Sequence, residues 1–152
     1  MIEKGLIYPD VVLSDCYIAN IEVIKGEIIL NFSELGIFKK DIKKNNYYRT
    51  KGAQVIIKGC DFDAISIKEI RTQKLSEDLY YESMYDIDAK IFFDNINSGK
   101  WKMEIVEEFH SMQKGFYTVR IRTEQDAFWC HIKLYYKNLI YSWGDIRYDY
   151  PW

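Results

Sequence analysis

Proline is nearly missing from this chain, with two residues in 152, and glycine amounts to eight. Collagen-like and low-complexity chains are excluded by that composition, which leaves a folded globular domain spanning 1–152 as the expectation. Histidine is equally scarce: His110 and His131 are the two present, and they do not stand at metal-ligand spacing to one another. Cysteine occurs three times, at Cys16, Cys60 and Cys130, an odd number spaced too widely for a zinc ribbon or a redox pair. These thiols are expected to be reduced, as small buried hydrophobes of a cytoplasmic protein. No glycine-rich loop cradles a phosphate and no Gly-x-Ser-x-Gly elbow is present, so neither a nucleotide cofactor nor an activated serine is indicated. No apolar run approaches the roughly 18 residues of a spanning helix. The opening MIEKGLIYPD lacks the apolar core of a signal peptide, because Glu3 and Lys4 interrupt it. The expectation is a non-enzymatic chain with no cofactor, no metal and no membrane partner.

Aromatic residues are present in excess, at 16% of the chain with 13 Tyr, 8 Phe and 4 Trp, more than a core of this size requires. Some of those rings must face outward. A period of two dominates the pattern. In YIANIEVI, residues 17–24, Tyr17, Ala19, Ile21 and Val23 share one face. After Lys25-Gly26, Ile28, Leu30 and Phe32 share another, which predicts a hairpin. Residues 53–58 and 64–70 alternate similarly, and residues 101–106, 116–122, 128–136 and 139–143 repeat the pattern beyond Gly99. A turn is predicted at Gln113-Lys114-Gly115. Between the halves, Ile87, Ile91, Asn95 and Ile96 fall at helical spacing, with Ser83 and Asp86 as a start signal and Gly99 as a stop. A helix over 86–97 follows, although the same residues also alternate like a strand. The predicted fold is mainly β (α+β), an antiparallel sandwich or curved sheet of about eight strands with one helix and a polar aromatic tail, WGDIRYDYPW.

Charge is unevenly placed. Over 39–51 six basic residues face one acid, a local +5, with Tyr47 and Tyr48 among them. Such a loop is able to grip single-stranded nucleic acid by backbone charge and base stacking. The net charge of −2 argues against a dedicated nucleic-acid binder, so this is the alternative reading. Over 75–94 the balance reverses to −5, with Tyr80, Tyr81, Met84 and Tyr85 interleaved. Acids set association rates with a basic partner, and tyrosines supply contact area at low entropic cost. Glu77, Asp78, Tyr80, Tyr81, Glu82, Tyr85, Asp86 and Asp88 are the predicted partner-binding residues. Glu108 and His110 would share a face of a strand, and a metal site with His131 and Asp126 is conceivable but less favoured than a solvated strand end.

Two segments carry a family resemblance: Leu13-Ser14-Asp15-Cys16-Tyr17-Ile18, running into the hairpin, and Asn97-Ser98-Gly99-Lys100-Trp101, leading into Glu104-Ile105-Val106-Glu107-Glu108-Phe109. They resemble small β-rich immunity proteins of bacterial polymorphic and contact-dependent toxin systems, although Ser14 stands where such openings often carry His. The resemblance implies a cytoplasmic protein that neutralises a cognate toxin domain, often a nuclease, by occlusion, and it implies no catalytic residues.

Overall fold

Alternation of apolar and polar residues becomes strand over most of the chain. The computed structural model describes the backbone of residues 2–4 and residues 10–152 in full. The elements are β1 (Ile2–Lys4), β2 (Val11–Val12), β3 (Cys16–Ile24), β4 (Glu27–Phe32), β5 (Phe38–Asp41), β6 (Asn46–Thr50), β7 (Ala53–Lys58), β8 (Ser66–Lys74), β9 (Tyr80–Ile87), α1 (Ala89–Asn97), β10 (Lys102–Ser111), β11 (Lys114–Arg122), β12 (Ala127–Tyr135), β13 (Asn138–Trp143) and β14 (Ile146–Pro151). The fold is mainly β with a single helix among the described residues. The eight predicted strands are all present, and β1, β2, β5, β6, β9 and β14 add to them.

Ten strands form one antiparallel sheet in the order β1-β13-β7-β4-β3-β10-β11-β12-β8-β9, and four form a second, β14-β6-β5-β2. The large sheet coils strongly. Ile57 on β7 and Ile132 on β12 have four strands between them in the order, yet both line one apolar cavity of about 20 Å³ together with Phe93 of α1. Strands about 4.8 Å apart reach such proximity only if the sheet curls around its own inner face. α1 plugs this hollow with Phe92, Phe93 and Ile96.

Two β-bulges decide which residues enter the core. The first lies between Ile18 and Asn20 on β3. It shifts the side-chain parity, so Cys16, Ile18 and Ile21 are buried where the simple alternation put Tyr17, Ala19, Ile21 and Val23 together. Asn97 at the end of α1 bonds both backbone groups of Ile21, accepting from its amide at 2.7 Å and donating to its carbonyl at 2.8 Å. The second bulge, between Ile105 and Glu107 on β10, has the same effect: Met103 and Ile105 point inward before it, Glu108 and His110 after it. Phe109 is thereby turned out, 63% exposed.

Other boundaries move from their predicted places. The helix starts at Ala89 instead of Asp86, because β9 runs through Ile87 and Asp88 is the true N-cap, its carboxylate accepting from the Ile91 amide at 3.0 Å. The stop holds: Gly99 has φ +78° and its amide bonds Ile96 O at 3.1 Å. The turn predicted at 113–115 falls at Met112-Gln113, both at positive φ as a two-residue hairpin turn needs. Gly115 lies instead inside β11, where a Cβ would stand 3.3 Å from Leu134 Cδ1 and 3.4 Å from His110 Cε1.

Residues 39–50 fall in the hairpin β5–β6, whose turn at 42–45 is exposed while its far ends are buried. Arg49 is 5% exposed and Lys39 7%. Arg49 donates to Asp15 O at 2.8 Å and to Gly36 O at 3.4 Å, and it lies over the Phe38 ring at 4.1 Å. It therefore joins the small sheet to the entry of β3.

Candidate functional site

The predicted acidic aromatic stretch is split among three places. β8 and β9 pair without a register shift from Ile67↔Ile87 to Lys74↔Tyr80, but β12 covers β8 only from Ser66 to Ile70. The rest of the hairpin extends beyond the sheet as a two-stranded ribbon. Tyr80, Glu82, Met84 and Asp86 share one face of β9, and Tyr81, Ser83, Tyr85 and Ile87 the other. Tyr80 is 60% exposed, and Tyr81, Met84 and Tyr85 each exceed half. Glu77 and Asp78 occupy the exposed tip. Asp88, in contrast, caps α1, and its carboxylate serves the helix.

Two cross-strand contacts link the side chains of the ribbon. Lys68 meets Asp86 at 3.4 Å, and Lys74 stands 5.9 Å from the centre of the Tyr80 ring. These contacts are solvent-exposed and worth a few tenths of a kcal/mol to ~1 kcal/mol each, enough to bias side-chain positions without holding the strand in place. The outer face continues across the sheet: Arg120, Trp129, Ile70 and Met84 are register neighbours in one row, and Thr118, His131, Lys68 and Asp86 in the next. The exposed side of β12, with Trp129, His131, Lys133 and Tyr135, thus leads directly to the β9 edge.

A second constellation was only half legible in the sequence. Glu108 and His110 do share a face, and the β10 bulge turns both inward to three tyrosines. Tyr141 donates to Glu108 Oε1 at 2.8 Å, the Tyr136 hydroxyl lies 2.8 Å from His110 Nδ1, and His110 Nε2 is 3.2 Å from Glu108 Oε2. Burial, followed by the Glu108 charge, pushes the Tyr117 phenol well above its usual pKa and the Tyr136 phenol up to about 12. The cluster borders an open pocket of about 310 Å³, lined by Val11–Ser14, Glu108, Phe109 and His110. Tyrosines at inward positions of β11 and β13, amid Val119, Ile121, Leu139 and Trp143, were the available signal. The less favoured metal arrangement of Glu108, His110, His131 and Asp126 is not assembled. His131 faces outward from β12, and Asp126 is engaged by Arg71. Among the described residues no group of three or more His, Cys, Asp or Glu side chains gathers to hold a metal.

The basic stretch folds onto the aromatic tail. Lys44 sits 3.8 Å over the Tyr148 ring, Tyr148 packs edge-on to Tyr48 at 5.1 Å, and Trp152 does the same to Tyr47 at 5.4 Å. Rings that base stacking would require are engaged by one another and by a lysine.

The three cysteines are free and buried. No helix is long and apolar enough to cross a membrane among the described residues. No protein-family model, curated protein or solved structure matches the chain.

Proposed function

We propose that this chain is an immunity protein that binds and neutralises a cognate bacterial toxin domain of basic surface by occlusion, using the β8–β9 ribbon. One observation carries the reading: four large side chains of β9 stand more than half exposed beside Glu77, Asp78, Glu82 and Asp86. Exposed aromatic and thioether groups clustered on one strand mark a surface that gains by being covered. Carboxylates around them select a positively charged partner and steer its approach. A nucleic-acid-directed toxin carries such a surface at its cleft. An inhibitor acting by coverage needs no catalytic group.

The test is co-expression with bacterial toxin domains of basic surface, any encoded beside this chain's own gene first among them. The chain should restore growth and co-purify with its cognate domain. Association should slow as salt rises, and charge reversal at Glu77, Asp78 and Glu82 together should weaken binding. Tyr81→Ala and Tyr85→Ala should each cost about 1–3 kcal/mol of affinity if they are central anchors. Neutralisation unaffected by the triple reversal would remove the ribbon from the interface.

A further inference from the structure

β9 is the outermost strand of the large sheet, with β8 as its one neighbour among the described residues. Which of its backbone groups are unpaired follows from the ladder. The Leu75 amide donates to Leu79 O at 2.8 Å, which makes Leu75–Leu79 a hydrogen-bonded pair. The register continues in phase to Ile67↔Ile87. Bonded and non-bonded pairs alternate in an antiparallel ladder, so Tyr81, Ser83, Tyr85 and Ile87 bond to β8. Tyr80, Glu82, Met84 and Asp86 therefore turn their N–H and C=O groups to the open edge. β9 has no lysine, proline or bulge to protect its open edge; the charges it carries are the acids Glu82 and Asp86, which repel a like edge and not a basic one.

We infer that this edge accepts an extended basic segment of the partner as an added strand. This deepens the proposed inhibitor reading and rests on it. Charge decides the occupant. β9 itself carries Glu82 and Asp86 and no lysine or arginine, with Glu77 and Asp78 at the tip beside it, so pairing with a second copy of β9 would double the acids along one seam. Like charges across or diagonal to one another destabilise strand pairs. A basic strand reverses the sign. The order of side chains refines the match: Glu82 and Asp86 flank Met84 on the outer face, and Met84 continues the apolar row through Ile70 to Trp129. The complementary strand therefore reads basic, apolar, basic at alternate positions, with backbone bonds supplying affinity and side chains supplying choice.

The capped peptide Thr-Lys-Thr-Val-Thr-Lys-Thr has this pattern in either direction and serves as the probe. Peptide binding should slow amide exchange at Tyr80, Glu82, Met84 and Asp86 and leave Tyr81, Ser83 and Tyr85 unchanged. Replacing both lysines with glutamate, or methylating the peptide's edge-facing amides, should reduce binding at least about tenfold. Met84→Pro removes one outward N–H while sparing the bonds to β8, and it should weaken binding well beyond Met84→Ala. Equal binding of the methylated peptide, or unchanged exchange at the four amides, would overturn strand addition. Concentration-dependent protection without peptide would assign the edge to a second copy instead. Toxin neutralisation that survives Met84→Pro but fails on charge reversal would reject strand addition and leave the inhibitor reading standing.

Discussion

Replacing Arg49 with alanine removes the one guanidinium that joins β6 to both the entry of β3 and the turn before β5. Its bond to Asp15 O, at 2.8 Å, is short and charge-assisted. Leaving that carbonyl without its donor costs about 2 kcal/mol. The 3.4 Å contacts to Gly36 O and Cys16 Sγ are long and add about 0.5 kcal/mol together. Lost packing of the buried stem, and of the cation over Phe38 at 4.1 Å, adds a further ~1–2 kcal/mol. Against this, Arg49 Nε is buried with no hydrogen-bond partner, a standing cost that the substitution relieves. The net expectation is a loss of about 3 kcal/mol for Arg49→Ala and about 2 kcal/mol for Arg49→Met, which keeps the stem. Urea unfolding followed by tryptophan fluorescence measures both, with the slope checked for constancy. A loss below about 1 kcal/mol for Arg49→Ala would show that the two sheets do not depend on this side chain.

Three further outcomes are expected. Asp88→Ala should lower stability by about 1 kcal/mol through the lost cap on α1, and Asp88→Asn should recover most of it; equal losses in thermal unfolding would contradict the capping role. Burial pushes the Cys16 thiol up to about 11 and the Cys130 thiol up to about 12, and raises Cys60 as well, so iodoacetamide at pH 8 should label none of them before unfolding, as intact mass would show. The Tyr148 hydroxyl, donating to Asp41 Oδ2 at 2.6 Å, and the amides of Lys44 and Lys43 hold the Asp41 carboxyl below the usual carboxylate range. A depressed folded pKa contributes stability above the unfolded value and loses it as pH falls through the folded one, so Tyr148→Phe should shift the Asp41 titration upward in a carboxyl NMR experiment.

The strands that bury one face were legible because their side chains alternate. β12 is the clearest, with Phe128, Cys130, Ile132 and Leu134 inward. β9 was not, since a ribbon exposed on both faces has no reason to alternate, and the sequence pattern makes Tyr80–Tyr85 the approach to a helix that already includes Asp86 and Ile87. The bulges at Ile18/Asn20 and Ile105/Glu107 left no local mark, because a bulge exists only in relation to the strand beside it. That is why His110 reads as a surface residue in sequence and lies buried in the fold. Lys39 and Arg49 looked solvated for a similar reason: the carbonyls that receive Arg49 come from Asp15 and Gly36, far from it in the chain. The acids and tyrosines of the ribbon were identifiable by composition, but their division between two faces and a tip required the register.

The strand order of the large sheet divides at the β3–β10 junction, and each side contains strands from the opposite side of α1 in the sequence. β13, from near the end of the chain, lies between β1 and β7, while β8 and β9, from the middle, complete the side built on β10, β11 and β12. Neither half can finish its ladder from contiguous chain, so cutting between α1 and β10 would leave two fragments that each expose an unmet edge. Fragments made there should remain unfolded alone and regain structure only when mixed. Pairing strands this remote is slow, since chain entropy is lost before the contacts that offset it are made. The hairpin β10–β11 and its neighbour β12 can form early, but the joining of Met103 to Ile18 must wait for the first half to arrive.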